Sequence, residues 1–181
     1  MLHLLIISSS SQHHHVRLFN NKCIVPNNAD SRNNGLESKS AVWGGLMTAG
    51  AQSRGVLGVI IDGRCRDLSE HRSFGFPVFA RALSTLGQGT FSRPSELNVA
   101  LTITPIPDLR DENHGGVPFP STEVRPGDTL LADIDGVVCV PQDLIEQVVQ
   151  RCQKSQEIDA KCMEDIKAGK PIKETFKKWR G

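Results

Sequence analysis

Apolar residues follow two patterns along the chain, one typical of helices and one typical of strands. Over 38–54 they fall near helical spacing, a serine precedes them and Gly55 follows, which predicts a helix. The positions that carry this pattern are Ala41, Val42, Leu46, Met47 and Ala51. The run 56–62 is instead continuous and β-branched, so it predicts a parallel strand that is buried on both faces.

Strands and turns alternate over the middle of the chain. The sequence predicts a short helical turn at 68–71, followed by strands at 76–80 and 97–104. Residues 105–122 are rich in Pro, Gly, Asp and Asn, so they predict a long loop that serves as an insertion or a lid.

The last third of the chain predicts a hairpin followed by a long helix. Asp135-Gly136 separates two apolar segments, 129–133 and 137–140, and is the strongest short signal for an antiparallel hairpin. A helix with an apolar stripe follows over 141–169, either continuous or broken near 154–155. Further helical turns are predicted by Ile172, Phe176 and Trp179. Together these elements predict an α/β protein.

Length and charge narrow the classes of partner. A chain of 181 residues suits one folded domain, and 21 basic against 20 acidic residues leave no field that would attract nucleic acid. No apolar stretch approaches the roughly 20 residues that a membrane span needs. Five cysteines, an odd number without a C-x-x-C pair, argue against a zinc ribbon or a disulfide framework and predict reduced thiols. We therefore expect a cytoplasmic protein with a small-molecule or protein partner.

The first 35 residues differ from the rest of the chain. The apolar segment 2–7 lacks a basic leader and a convincing cleavage site, which argues against a secretory signal. Residues 26–35 are nearly all turn formers and resemble a linker. We therefore expect an atypical, disordered leader over 1–35 and the α/β domain over 36–181.

The most informative chemistry stands where the predicted strand ends. Arg66 and Asp67 follow the β-branched run, and in open α/β sheets ligands collect beyond the carboxyl ends of strands. A guanidinium binds a carboxylate through two parallel hydrogen bonds, and Asp is a hard oxygen ligand that suits Mg²⁺ or Mn²⁺. The alternative is a surface ion pair after a turn.

Several ordered motifs together resemble the RraA-like family (regulator of ribonuclease E activity A), which includes the 4-hydroxy-4-methyl-2-oxoglutarate aldolases. The motifs lie at 41–47, 58–67, 75–80, 126–128 and 132–141, so the resemblance runs from about residue 35 to the C-terminal helix. It implies a layered β/β/α domain with a mixed sheet and a long C-terminal helix. It also implies a homo-oligomer, a trimer or a dimer of trimers, with sites between subunits.

The enzymes of this family imply a divalent-metal-dependent lyase. Such a lyase cleaves 4-hydroxy-4-methyl-2-oxoglutarate to pyruvate and decarboxylates oxaloacetate, with the metal as the Lewis acid that stabilises an enolate. The resemblance places Arg66 on the substrate carboxylate and Asp67 on Mg²⁺ or Mn²⁺, as the two catalytic residues. A substrate-binding turn at a helix start corresponds to Gly44, Gly45, Leu46 and Met47. The general base stays open between a metal-bound water and a carboxylate of an adjacent subunit.

Two departures from the family pattern affect these expectations. Many relatives carry an acidic residue at the position of Gly45, so the chain lacks a carboxylate there and a weaker metal site is expected. Relatives also carry more chain before the glycine pair, which predicts a truncated domain with an open sheet edge. Two alternatives to the lyase follow: a non-catalytic protein-binding regulator of the ribonuclease-inhibitor type, or a truncated inactive homologue.

Four further side chains are weighed as site candidates. Asp133 is a candidate for a place near the site, while Asp135 is better explained by its turn. His71 and His114 are candidates without an assigned role.

Overall fold

The computed structural model describes residues 39–89, 96–104 and 120–181, together with two strand segments nearer the N-terminus, of which only the backbone is described. The strands are β1 (Arg17–Phe19), β2 (Cys23–Ile24), β3 (Ala41–Trp43), β4 (Gly58–Cys65), β5 (Val78–Leu83), β6 (Leu101–Ile103), β7 (Thr122–Val124), β8 (Thr129–Ala132) and β9 (Val137–Val140). The helices are α1 (Gly45–Gln52), α2 (Leu68–Ser73), α3 (Ile145–Lys167) and α4 (Ile172–Trp179), and a 3₁₀ turn, Gln142–Leu144, precedes α3. The chain divides into two compact units, Met1–Pro141 and Gln142–Gly181.

The strand β4 is the centre of a parallel sheet. Strand β5 pairs with β4 along one edge, while β2 pairs with the first half and β3 with the second half of the other edge. The core of the predicted strand, Val59 to Ile61, is buried as expected. The strand extends past Asp62 to Cys65, because β3 and β5 both pair with its last two residues.

The remaining strands of the first unit pair antiparallel. One sheet has the order β1-β8-β9, and β6 pairs with β7. The predicted hairpin is confirmed, since Ala132 pairs with Val137 and the Asp133 N–H donates to the Gly136 carbonyl oxygen at 3.0 Å. The Asp133 carboxylate accepts hydrogen bonds from the N–H groups of Asp135 and Gly136, so it closes the turn of this hairpin.

Two clusters of buried side chains lie on the two faces of the parallel sheet. The cluster shared with β6, β8 and β9 contains Ile60, Phe79, Ile103, Leu130, Ala132 and Val137. The cluster shared with α1 contains Val42, Trp43, Ala51, Val59, Ile61, Cys65, Phe76 and Ala80. Successive residues of a strand point to opposite faces, which is why Ile60 joins one cluster and Val59 and Ile61 join the other. The unit therefore has the β/β/α layers that were predicted.

A buried ion pair joins β4 to β5. The Arg81 Nε contacts the Asp62 carboxylate, and the Arg81 Nη2 donates to the Thr104 carbonyl oxygen at 2.6 Å, just after β6. Burial raises the pKa of Asp62, and the adjacent Arg81 guanidinium opposes that rise. Removal of one partner would leave an uncompensated buried charge, so the pair constrains the alignment of these strands.

The predicted helix over 38–54 was wrong in its first part. Ala41–Trp43 form the strand β3, and α1 begins only at Gly45. Gly44 is extended, with φ −148° and ψ −175°, which separates the two elements. All three β3 residues are buried, so the strand has apolar residues at consecutive positions and does not alternate. A short run of this kind cannot be distinguished from one turn of a buried helix by periodicity.

Three strand boundaries also differ from the sequence expectation. Strand β5 begins at Val78 instead of residue 76, and the segment 97–104 forms a strand only at β6. Of the predicted loop over 105–122, residues 105–119 lie outside the described part, and β7 begins at Thr122.

Two strands fall inside the segment 1–35 that the sequence assigned to a leader. β1 pairs with β8 and β2 pairs with β4, so these five residues belong to the sheets of the first unit. The domain boundary between residues 35 and 36 stays a prediction.

The second unit contains the long helix α3 and the short helix α4. α3 runs through residues 154–155 without a break, and Gly169, with φ +84°, ends it in the left-handed conformation that glycine adopts readily. The Asp165 carboxylate accepts hydrogen bonds from Lys170 Nζ at 2.6 Å and Trp179 Nε1 at 2.9 Å. These donors lower the pKa of Asp165 to about 2 and attach α4 to α3.

The described residues can also be compared with the predictions about membrane spans and cysteines. None of their helices has both the length and the apolar character needed to cross a membrane. The four cysteines with described side chains, Cys65, Cys139, Cys152 and Cys162, are all free thiols.

The core of β4 provides a stability test. Ile61 is fully buried, whereas Ile134 in the β8–β9 turn is 60% exposed. We expect Ile61→Val to lower the free energy of unfolding by about 0.5–1.5 kcal/mol, because it removes a buried methylene and leaves a cavity. The matched control Ile134→Val should change it by less than about 0.5 kcal/mol. Urea unfolding followed by circular dichroism measures both, and equal losses would contradict the assignment of Ile61 to the core.

Candidate functional site

Arg66 and Asp67 lie directly after β4, beside the start of α1. The strands β3 and β4 are parallel, so their carboxyl ends meet at one edge of the sheet. β3 leads there into Gly44 and Gly45, and β4 leads into Arg66 and Asp67. The Arg66 N–H donates to the Trp43 carbonyl oxygen at 3.0 Å, which joins the two strand ends. The structure thus brings the two sequence-predicted segments together.

A further hydrogen bond connects the start of α1 to the segment that follows β4. The Gly45 N–H, at the first position of α1, donates to Asp67 Oδ2 at 3.0 Å, and Arg66 Nε lies 3.4 Å from the same oxygen. The N-terminus of a helix carries a partial positive charge, which stabilises an adjacent carboxylate. The Asp67 carboxylate therefore lies between two sources of positive potential.

The backbone of Asp67 is in the left-handed region, with φ +61° and ψ +43°. Its carbonyl oxygen accepts the Glu70 and His71 N–H groups as α2 begins, but its side chain makes no cap to that helix. The carboxylate instead points to α1, where it accepts the Gly45 N–H. Non-glycine residues in this conformation cost free energy and cluster at functional sites, where the surrounding structure holds them.

Close approach explains both glycines at the start of α1. A Cβ on Gly44 would lie 2.6 Å from Asp67 Oδ2 and 2.9 Å from Arg66 Nε. A Cβ on Gly45 would overlap the Glu70 carboxylate, with Glu70 Cδ at 2.5 Å. The carboxylate of Glu70 therefore occupies the space of a side chain at position 45, next to Asp67. Glu70 was not identified from the sequence. The pattern that could have identified it is its position three residues after Asp67 at the start of a helix, a spacing that places both side chains on the same side.

An open depression lies next to this pair of segments, with about 330 Å³ of space when its open mouth is included. Its floor and rim include Trp43, Gly44, Leu46, Met47, Arg66 and Gln88. Four of the five residues predicted to bind substrate therefore line it. Gly45 is the exception, since its N–H is taken by Asp67. Gln88 was not found from the sequence, because nothing in its local pattern distinguishes it from a loop residue.

The arginine of this depression is available to a ligand. Its side chain is 44% exposed, and Arg66 Nη1 passes so close to Gly87 that a Cβ there would lie at 2.9 Å. The glycines at positions 44 and 87 thus leave room for the guanidinium between two backbone segments.

Asp67 and Glu70 are the donors that would hold a metal ion here. The described residues contain no group of three or more His, Cys, Asp or Glu side chains arranged for a metal. Two neighbouring carboxylates do suit Mg²⁺, which keeps several of its waters and binds proteins through one or two carboxylates. The donor set therefore fits a hard, mostly hydrated cation and does not fit a structural zinc ion.

His71 lies behind Asp67 and is completely buried. Its Nδ1 is 2.9 Å from Thr48 Oγ1, and its Nε2 has no hydrogen-bond partner among the described residues. Burial lowers the pKa of His71, against the opposing effects of the Arg66 backbone and the charges of Asp67 and Glu70. The imidazole is therefore neutral at pH 7 in the folded protein.

The other candidate side chains take different positions. Asp133 and Asp135 belong to the β8–β9 turn, where the Asp133 carboxylate binds backbone N–H groups of that turn. His114 lies outside the described residues.

A known protein family matches the region of the chain that contains this site. The RraA-like family model, described as Aldolase/RraA, matches residues 20–139. This range includes β2 and every residue of the site, and it begins inside the segment predicted to be a leader.

Proteins with similar sequences match two thirds to three quarters of this chain. An uncharacterised protein of Methanocaldococcus jannaschii is 31% identical over 138 residues, which are 76% of this chain and 58% of that protein. A Halalkalibacterium halodurans protein, provisionally named 4-hydroxy-4-methyl-2-oxoglutarate aldolase, is 29% identical over 66% of this chain and 49% of its own length. The chain thus spans about half the length of these relatives.

Solved structures show the same fold. An uncharacterised protein from Pseudomonas syringae has a TM-score of 0.65 at 23% identity, covering 89% of this chain and 78% of that one. Streptomyces coelicolor RraAS2, described as an unusual member of the RNase ES inhibitor RraA protein family, has a TM-score of 0.57 at 16% identity, covering 81% and 76%. At these identities the likeness concerns the fold alone.

The contact between Gly45 and Glu70 predicts a clear substitution effect. Gly45→Ala should stabilise the protein less than an ordinary glycine-to-alanine change in a helix, because the new methyl group must displace the exposed Glu70 side chain. Gly50→Ala in the same helix is the matched control: its Cβ meets only Arg54 Nη1 at 3.6 Å, so it should stabilise by roughly 0.5–1 kcal/mol. Thermal and urea unfolding of both variants tests this. A Gly45→Ala variant that gains as much stability as Gly50→Ala would show that Glu70 does not occupy that space.

Burial of neutral His71 predicts how stability depends on pH. Its pKa is lower in the folded than in the unfolded state, so the unfolded chain binds more protons below about pH 6.5, the ordinary histidine value. The contribution of His71 to stability is therefore complete above that pH and is lost as the pH falls below it. Urea unfolding at pH 7.5, 6.5 and 5.5 should show a larger loss for the wild type than for His71→Asn. Parallel curves would contradict the prediction.

Proposed function

Because the chain belongs to the Aldolase/RraA family, we propose that it is a divalent-metal-dependent carbon–carbon lyase that acts on small 2-oxo acids. The reactions are the cleavage of 4-hydroxy-4-methyl-2-oxoglutarate to pyruvate and the decarboxylation of oxaloacetate. One observation supports this above the others: the exposed Arg66 guanidinium lines an open depression, and 3.4 Å from its Nε lies a carboxylate oxygen of Asp67 that is fixed by a helix N-terminus.

Arg66 is the proposed anchor for the substrate. A guanidinium binds a carboxylate through two parallel hydrogen bonds, which fixes orientation as well as position. The first turn of α1 adds to this attraction, because the N–H groups of Leu46 and Met47 have no carbonyl partner within the helix. An anionic substrate in the depression would meet positive potential from both sides.

Asp67 and Glu70 are the proposed metal ligands, with Mg²⁺ or Mn²⁺ as the ion. The bound ion would act as a Lewis acid for the negative charge that develops on the keto oxygen when the carbon–carbon bond breaks. Asp67 is already oriented by Gly45, so little reorganisation is needed for it to act as a ligand. Glu70 supplies a carboxylate where Gly45 supplies none.

The two proposed reactions place different demands on the site. Aldol cleavage needs a base that takes the hydroxyl proton, whereas decarboxylation of oxaloacetate releases carbon dioxide and needs no such base. Decarboxylation therefore tests Arg66, Asp67 and Glu70 without a further residue.

A second candidate is a protein-binding regulator without catalysis. It is favoured by the absence of a three-ligand metal cluster among the described residues and by the glycine at position 45. On this hypothesis Asp67 is a purely structural partner of α1, and its conversion to an amide leaves binding to the partner protein unchanged.

We also propose that the protein is a cytoplasmic homo-oligomer, a trimer or a dimer of trimers. Leu46, at the mouth of the depression, is 88% exposed and Met47 is 45% exposed, so apolar surface adjoins the site. Light scattering of the purified chain would measure the assembly directly.

Oxaloacetate decarboxylation tests the proposed function. Purified protein with oxaloacetate and Mg²⁺ should produce pyruvate, and a chelator should abolish the excess over the buffer control. Arg66→Lys and Asp67→Asn should each lower kcat/KM by about 100-fold, because they disturb bidentate binding and metal ligation.

Two conservative substitutions serve as controls for that experiment. Arg72→Lys lies on the exposed part of α2, and Asp143→Asn lies in the 3₁₀ turn before α3. Both should keep wild-type activity. Folded protein that yields no metal-dependent pyruvate would exclude the lyase and favour the regulator.

A further inference from the structure

Three buried polar side chains behind the site form a continuous hydrogen-bond chain. Trp43 Nε1 donates to Thr48 Oγ1 at 2.8 Å, and Thr48 Oγ1 lies 2.9 Å from His71 Nδ1. Trp43 is 2% exposed, while Thr48 and His71 are completely buried. The hydroxyl of Thr48 accepts the indole proton, and the same oxygen is within hydrogen-bond distance of the neutral imidazole.

The chain joins the three elements that carry the site. Trp43 is the last residue of β3, Thr48 lies in the first turn of α1 and His71 lies in α2. Trp43 and His71 are also attached to the site through the backbone. The Trp43 carbonyl oxygen accepts the Arg66 N–H at 3.0 Å, and the His71 N–H donates to the Asp67 carbonyl oxygen at 3.2 Å.

We propose that Trp43, Thr48 and His71 are positioning residues that set the separation between the N-terminus of α1 and the start of α2. This separation decides whether the Gly45 N–H reaches Asp67 Oδ2, and so whether the Asp67 carboxylate is held beside Arg66. The kinetic part of the proposal rests on the lyase function proposed above, but the geometric part does not.

The geometry distinguishes this role from ordinary satisfaction of polar groups in a core. Thr48 links the indole to the imidazole, because one hydroxyl oxygen makes hydrogen bonds with both rings. Its loss would leave two polar atoms without these partners in a buried environment, which favours separation of α1 from α2. The first effect of that separation falls on the contact between Gly45 and Asp67, which joins α1 to the residue before α2.

A matched pair of variants tests the proposal. Thr48→Val keeps the shape of the side chain and removes the hydroxyl, while Thr48→Ser keeps the hydroxyl and removes a methyl group. In the full chain labelled with ¹⁵N, we expect hydrogen exchange of the Gly45 amide to become about fivefold faster in Thr48→Val, as loss of one hydrogen bond would produce. Thr48→Ser should keep the wild-type rate relative to amides in the middle of α1.

The kinetic measurement uses the same two variants. With oxaloacetate and Mg²⁺, Thr48→Val should lower kcat about tenfold or more, the usual effect of losing support for a metal ligand, and Thr48→Ser should restore it. If wild-type protein has no metal-dependent activity, the lyase function fails, and the Gly45 exchange rate still decides the positioning role.

A second pair covers the case in which Thr48→Val does not fold. Asn at position 71 can still form a hydrogen bond with Thr48, as donor or as acceptor, whereas Leu cannot, so His71→Asn should keep the Gly45 exchange rate and His71→Leu should raise it. Equal Gly45 exchange in both members of either pair would overturn the proposal. So would changes that follow the melting temperature alone.

Discussion

The hydrogen bond from the Gly45 N–H to Asp67 Oδ2 is the contact on which the arrangement of the site depends. It joins the start of α1 to the segment that follows β4, and both segments reach the same edge because β3 and β4 are parallel. The Asp67 carboxylate is stabilised by the positive end of α1 and by the Arg66 guanidinium, which both lie next to the same oxygen, Oδ2. Without this contact, the arginine and the carboxylate would be an ordinary exposed pair after a strand.

The same contact accounts for the unusual residues around it. Asp67 adopts a left-handed backbone conformation because its side chain must leave α2 and reach α1. Gly44 and Gly45 lack a Cβ because Asp67, Arg66 and Glu70 fill the space that a Cβ would need. A glycine at position 45 is thus consistent with a metal site, since the carboxylate of Glu70 takes the position of a side chain there. Glu70, from the next helix, is the residue that we propose to supply a carboxylate there.

Much of the fold was predictable where the pattern is local. The β-branched run of β4 and the Asp135-Gly136 hairpin were both identified from sequence, because a continuous β-branched run and a two-residue turn are patterns of adjacent residues. The segment Ala41–Trp43 was assigned to a helix because three consecutive buried residues are compatible with either periodicity. Its pairing with residues of β4 that lie 22 and 23 positions further along the chain decided the outcome, as did the pairing that extended β4 to Cys65.

The amino-acid sequence by itself determined which chemical groups stand at the end of the central strand: a guanidinium, a carboxylate and a glycine pair at a helix start. It also determined the family, since several motifs occur in the same order. Only the tertiary structure decided which groups touch: that Gly45 binds Asp67, that Glu70 fills the space beside it, and that Trp43, Thr48 and His71 connect behind them. Local propensity depends on neighbours in sequence, whereas these contacts join residues 5 to 25 positions apart through the packing of two helices against a sheet.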